Sequence, residues 1–116
     1  MSEAVRFEDL GTHGRTEVIR VKGRVDARTS PLLIERCATA RDAGHSLVLN
    51  LREVSFLSSS GIGALLALTE EFREKGGALG LAELSPIVRE AIDLLNLEEF
   101  LAVFDREDDA IRDLAA

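Results

Sequence analysis

Three consecutive hydroxyls, Ser58, Ser59 and Ser60, stand directly before Gly61-Ile62-Gly63 and the apolar run Ala64 to Leu68. A serine oxygen can do three things in such a place. With a base beside it, it attacks an acyl or phosphoryl group. At a helix start, it caps free backbone N–H groups. Left exposed, it accepts a phosphate, which a helix N-terminus tolerates because its unpaired N–H groups and partial positive charge favour an anion. Taken alone, the three serines read most simply as a polar helix entry, with Gly61 and Gly63 allowing close backbone packing.

The catalytic option lacks its partners. The chain has two histidines, His13 in a predicted turn and His45 just before a strand, and neither is recommended as a base. The nucleophile elbow G-x-S-x-G is absent, as is the phosphate loop G-x-x-x-x-G-K-S/T, and Gly61-Ile62-Gly63 is a poor dinucleotide fingerprint. With Cys37 as the single cysteine, an internal disulfide is impossible and a zinc site is not expected. A receiver domain of two-component signalling has a similar length and alternation. It needs an acidic Mg²⁺ cluster, an Asp after the third strand and a Lys after the fifth. Asn50 stands near the third strand's end here, and Lys22 and Lys75 are misplaced. No catalytic residue, metal or cofactor is therefore expected, and the chain is read as not an enzyme.

Composition narrows the class further. The 116 residues suit one domain, 1–116, and 46% apolar content suits a folded core. Five Phe with no Trp or Tyr make that core aliphatic and leave no stacking platform for single strands. The net charge of -7 argues against direct nucleic-acid binding and favours a basic partner patch. Met1 to Leu10 carries charges and no apolar centre, so no signal peptide is expected. No apolar run nears the ~20 residues that cross a bilayer. Cytoplasmic location and no membrane insertion follow as expectations.

The elements that must position the serines can be read in order. Val5 and Phe7 alternate with charged residues, Gly11 to Gly14 suggests a turn, and Glu17 to Val25 alternates as a second strand. Ser30-Pro31 marks a helix start, with Ser30 as the cap. That helix runs to about Ala43, with Leu33, Cys37, Ala40 and also Leu32 facing the core. Leu47 to Leu51 is apolar throughout and predicts a strand buried on both faces. After the serines, Ile62, Leu65, Leu66, Thr69 and Phe72 share one helix face, and Gly76-Gly77 stops the helix. Ala78 to Ala82 is a strand, and Ser85-Pro86 starts a helix with Val88, Ala91, Ile92 and Leu95 inward and Asn96 at its end. Phe100 to Phe104 is the last strand. Asp105 and Asp108 suggest a capping box for a final helix held by Ile111 and Leu114. The order β-β-α-β-α-β-α-β-α predicts an α/β fold, a mixed sheet of about five strands covered by about four helices.

In this order the residues resemble the STAS domain, specifically the bacterial anti-sigma factor antagonists (anti-anti-sigma factors). Gly23-Arg24-Val25-Asp26 resembles the family's G-x-[apolar]-D. Leu49-Asn50-Leu51 followed by Val54, Phe56 and Leu57 resembles its "DLS-x-V-x-F-[apolar]" run. Ser59-Ser60-Gly61-Ile62-Gly63 resembles its "SSGLG" core, and Ser85-Pro86 with Val88 and Arg89 its "SP-x-[apolar]-R" segment. The resemblance implies a regulatory binding module acting in transcription by partner switching. The partner is an anti-sigma factor that is also a serine kinase and holds the ATP. Unphosphorylated antagonist captures it and frees the sigma factor, and phosphorylation ends binding. By position the acceptor is Ser60, with Ser59 and Ser58 as rivals. The docking surface takes in Asp26, Ser58, Ser59, Ser60, Gly61 and Ile62, on a monomer or weak dimer. One departure stands out: the family signature begins with Asp, and this chain has Ser58 there. That change supports an alternative, a non-phosphorylated STAS accessory module binding a transporter or a stress-signalling scaffold.

Overall fold

A computed structural model describes residues 4–115 of the chain. Its strands are β1 (Arg6–His13), β2 (Thr16–Val25), β3 (Ser46–Leu57), β4 (Leu79–Ala82) and β5 (Ala102–Phe104). The helices are α1 (Ser30–Asp42), α2 (Ser59–Glu74), α3 (Pro86–Leu94) and α4 (Glu107–Ala115), with a 3-10 turn at Leu97–Glu99. The five strands form one sheet in the order β1-β2-β3-β4-β5. β1 pairs antiparallel with β2, and every later pairing is parallel. Because parallel neighbours need a crossover of one hand, α1, α2 and α3 stack on the same face. Their Leu33, Cys37, Leu65, Leu68, Phe72, Val88 and Ile92 join Leu47, Leu49, Leu79 and Leu81 in the main core.

Among the described helices, α4 alone covers the opposite face. Ala110 packs there with Val18, Val48 and Ala82, flanked by Ile111 and Leu114. This explains why Leu47 to Leu51 is buried on alternate residues of both faces. Gly80 makes room for α4, since a Cβ there would lie 3.0 Å from Leu114 Cδ1. A 24-residue separation is bridged at the start of α4, where Glu107 N–H donates to Glu83 Oε2 at 3.1 Å.

Several sequence expectations need correction. The first hairpin turns at Gly14-Arg15, later than expected, because Gly11 sits inside β1 at a register shift. β3 does not end at Leu51 but runs on to Leu57, so the supposed connection before the serines is strand. Leu32 and Leu95 point outward, 48% and 52% exposed, while Leu68 is fully buried on α2. The last strand begins at Ala102; Phe100 lies before it, 65% exposed, after the 3-10 turn. Asp105 is also exposed, with Arg89 3.7 Å away, and it is Glu83 that meets the first N–H of α4.

Candidate functional site

The C-terminal ends of β2 and β3 lie side by side, with Val25 opposite Leu57. One residue on, Ser58 N–H donates to Val25 O at 3.0 Å. That bond holds Ser58 in extended backbone, φ -90° and ψ 174°, which is the geometry of an N-cap. Its Oγ accepts from Gly61 N–H at 3.3 Å, and its carbonyl accepts from Ile62 N–H at 2.9 Å. Ser58 is therefore the cap of α2. Ser59 and Ser60 are the first two helical residues, and both are exposed. No acidic residue stands in the first turn of α2, so its positive end is not offset by its own side chains.

Gly61 is what lets α2 start so close to the sheet. A Cβ there would fall 2.7 Å from both Val25 O and Leu57 Cδ1. Gly61 is accordingly buried, and Ile62 is half-buried against the main core.

Asp26 follows Val25 directly and so lies beside the serine segment, but it is committed to its own turn. Its Oδ1 accepts from Arg28 N–H at 3.0 Å and Thr29 N–H at 3.1 Å. In return Asp26 N–H donates to Thr29 Oγ1 at 2.9 Å, and that hydroxyl donates to Arg24 O at 2.7 Å. This reciprocal pair is the geometry of a capping box, placed one turn ahead of α1. Ser30 joins the same knot by donating its hydroxyl to Asp26 O at 2.6 Å. The expected role of Ser30 as cap is thus corrected: Thr29 occupies that position, and Ser30 is the first residue of α1. Partial desolvation pushes the Asp26 carboxyl up. The bonds from Thr29 and Arg28, with the Arg24 guanidinium 3.6 Å away, outweigh it and hold the carboxyl below its ordinary 3.8. Arg24 itself lies over the Phe56 ring, 4.1 Å from its centre. Sequence reasoning missed Thr29, although the D-x-x-T spacing carried the signal.

The other chemically capable groups lie elsewhere. His45 Nδ1 is 3.0 Å from Glu17 Oε2, at the opposite end of the parallel strands from the serines. His13, expected in the turn, is instead the exposed last residue of β1, because the hairpin turns later, at Gly14-Arg15. Cys37 is fully buried, and desolvation pushes its thiol up to about 12, so it stays an unreactive apolar group. Asn50 is buried under α4, donating to Glu107 Oε2 at 2.7 Å and accepting from Arg52 N–H at 3.1 Å. Among the described residues no cluster of three or more His, Cys, Asp or Glu is placed to hold a metal ion. No helix among them is long and apolar enough to cross a membrane.

Known proteins are similar to this chain in both sequence and architecture. The chain is 27% identical over 109 residues to an anti-sigma F factor antagonist of Paenibacillus polymyxa, covering 91% of this chain and 92% of that one. The anti-sigma factor antagonist SpoIIAA in its unphosphorylated form superposes with a TM-score of 0.75 at 25% identity, over 96% of this chain and 98% of that one. The phosphorylated form of the Bacillus cell fate determinant SpoIIAA superposes with a TM-score of 0.68 at 26% identity, over 92% and 97%. Residues 9–110 match the model of the STAS domain, from within β1 to within α4. With that match spanning most of its length, the chain belongs to the STAS domain family.

Proposed function

We propose that this protein is an anti-sigma factor antagonist that captures an anti-sigma factor with serine kinase activity, and that phosphorylation of Ser60 ends the interaction. The observation that carries the reading is the division of labour at the start of α2. Ser58 is used by the fold as a cap, while Ser60 is exposed in the first turn. Modification there leaves the capping bond intact. The added charge of about -2 sits at the positive end of a helix with no acid in its first turn. The domain keeps its fold, and the charge acts where a partner must close against α2. Asp26, on the adjoining strand end, belongs to the same docking surface. The existence of SpoIIAA in both phosphorylation states on this architecture supports the reading. This chain needs no cofactor and performs no catalysis in it; the kinase brings the ATP.

The test is intact-mass and peptide mass spectrometry after incubation with ATP and a purified anti-sigma factor kinase. One phosphate on Ser60 is expected, lost in Ser60→Ala. A phosphate retained by Ser60→Ala moves the acceptor to Ser59 or Ser58. Ser60→Asp is expected to keep the fold and weaken capture by about tenfold or more. No phosphate, from a kinase active on another substrate, would turn the assignment to a non-phosphorylated accessory module. The Ser58 that replaces the family's Asp favours that second reading.

A further inference from the structure

Glycine in the body of a helix weakens it, because the residue gives up more freedom on folding than any other and contributes no contact. Of the nine glycines in the chain, eight have a reason inside the domain. Five take a positive φ. At Gly61, Gly77 and Gly80 an added Cβ would meet an atom at 3.0 Å or closer. Gly63 has neither reason. It is inside α2, shows no positive φ, is exposed, and a Cβ there would meet nothing within 4 Å among the described residues. An alanine fits there and makes the better helix, yet the chain carries glycine. Gly63 is three residues beyond Ser60, which puts both on one helix face, one turn apart.

We infer that Gly63 is a docking position, whose missing side chain lets the backbone of a partner protein lie directly against α2 beside Ser60. The inference rests on the reading that the anti-sigma factor docks on the first turns of α2, and it adds the form of the contact. The partner presents main chain or small residues to this spot, not a long side chain. A phosphate on Ser60 would stand at the edge of that close contact, where there is least room for it.

Gly63→Ala and Gly63→Gln test this, with affinity for the purified anti-sigma factor kinase and thermal unfolding both measured. Gly63→Ala is expected to raise Tm by about 4 °C, from the gain in helix propensity. Its affinity is expected to fall about tenfold, and that of Gly63→Gln about a hundredfold. Affinities of both variants within about twofold of the native chain would overturn the inference while leaving the site assignment standing. A native chain that fails to bind overturns the site assignment and, with it, this inference. A fall in Tm for Gly63→Ala would also overturn it, since Gly63 would then serve the domain itself.

Discussion

Two helix entries side by side, β2 to α1 and β3 to α2, are built from the same residue types and used differently. In the first, the hydroxyls of Thr29 and Ser30 and Oδ1 of Asp26 are all bonded within the turn. In the second, one hydroxyl of three is tied down, that of Ser58, and Ser59 and Ser60 face solvent. A turn whose polar groups are satisfied internally cannot have one of them changed without cost to the fold. A turn that needs only one of its three hydroxyls can have the others modified without unfolding. The contrast separates a segment that holds the fold from one free to carry a signal.

The comparison breaks first at Gly61. Gly61→Ala places a methyl 2.7 Å from the Val25 carbonyl, so α2 must shift off the sheet. A loss of about 1–3 kcal/mol in urea unfolding is expected, exceeding the propensity gain. Unchanged stability would mean that the α2 entry is not wedged against β2. In the other turn, Thr29→Ala removes the acceptor for Asp26 N–H and the donor to Arg24 O, and about 1–2 kcal/mol should go with them.

Among the serines, the two kinds of role should separate cleanly. Ser58→Ala is expected to lose about 1 kcal/mol as the cap, and Ser60→Ala to stay within about 0.5 kcal/mol of the native chain. Equal losses at both would erase the distinction between the capping serine and the exposed one. The finest probe is acid. Since the Asp26 carboxyl titrates lower in the fold than in the unfolded chain, its contribution is complete above the ordinary 3.8 and is lost as pH falls through the lowered value. Asp26→Asn should therefore flatten the stability profile below about pH 4. A profile as steep as that of the native chain would place the acid sensitivity elsewhere.

Much of this could be read from local pattern. Alternation in Glu17 to Val25, the apolar run Leu47 to Leu51 and the glycine pair at 76–77 each report short-range geometry, and each corresponds to an observed element or boundary. Where the pattern misled, the deciding cause lay outside the pattern itself. Ser30 has the composition of a cap, but Asp26 takes its hydroxyl. Phe100 looks like strand, but β5 can pair with β4 only from Gly80 opposite Ala102 onward. Leu95 fits the helical stripe of α3 and still points outward, because α3 ends at Leu94 and Asn96 turns the chain in the left-handed region.

By itself, the sequence determined the order of elements, the double-sided burial of β3 and the serine segment at a helix start. Periodicity and turn chemistry act over a few residues and need no partner to be recognised. Tertiary structure alone decided which serine caps and which are free, because that depends on Ser58 N–H finding the Val25 carbonyl on another strand. It also decided that Gly61 is wedged and Gly63 open, although the two are only two positions apart. Successive residues of a helix point about 100° apart, and only the position of the sheet says which of them must meet it.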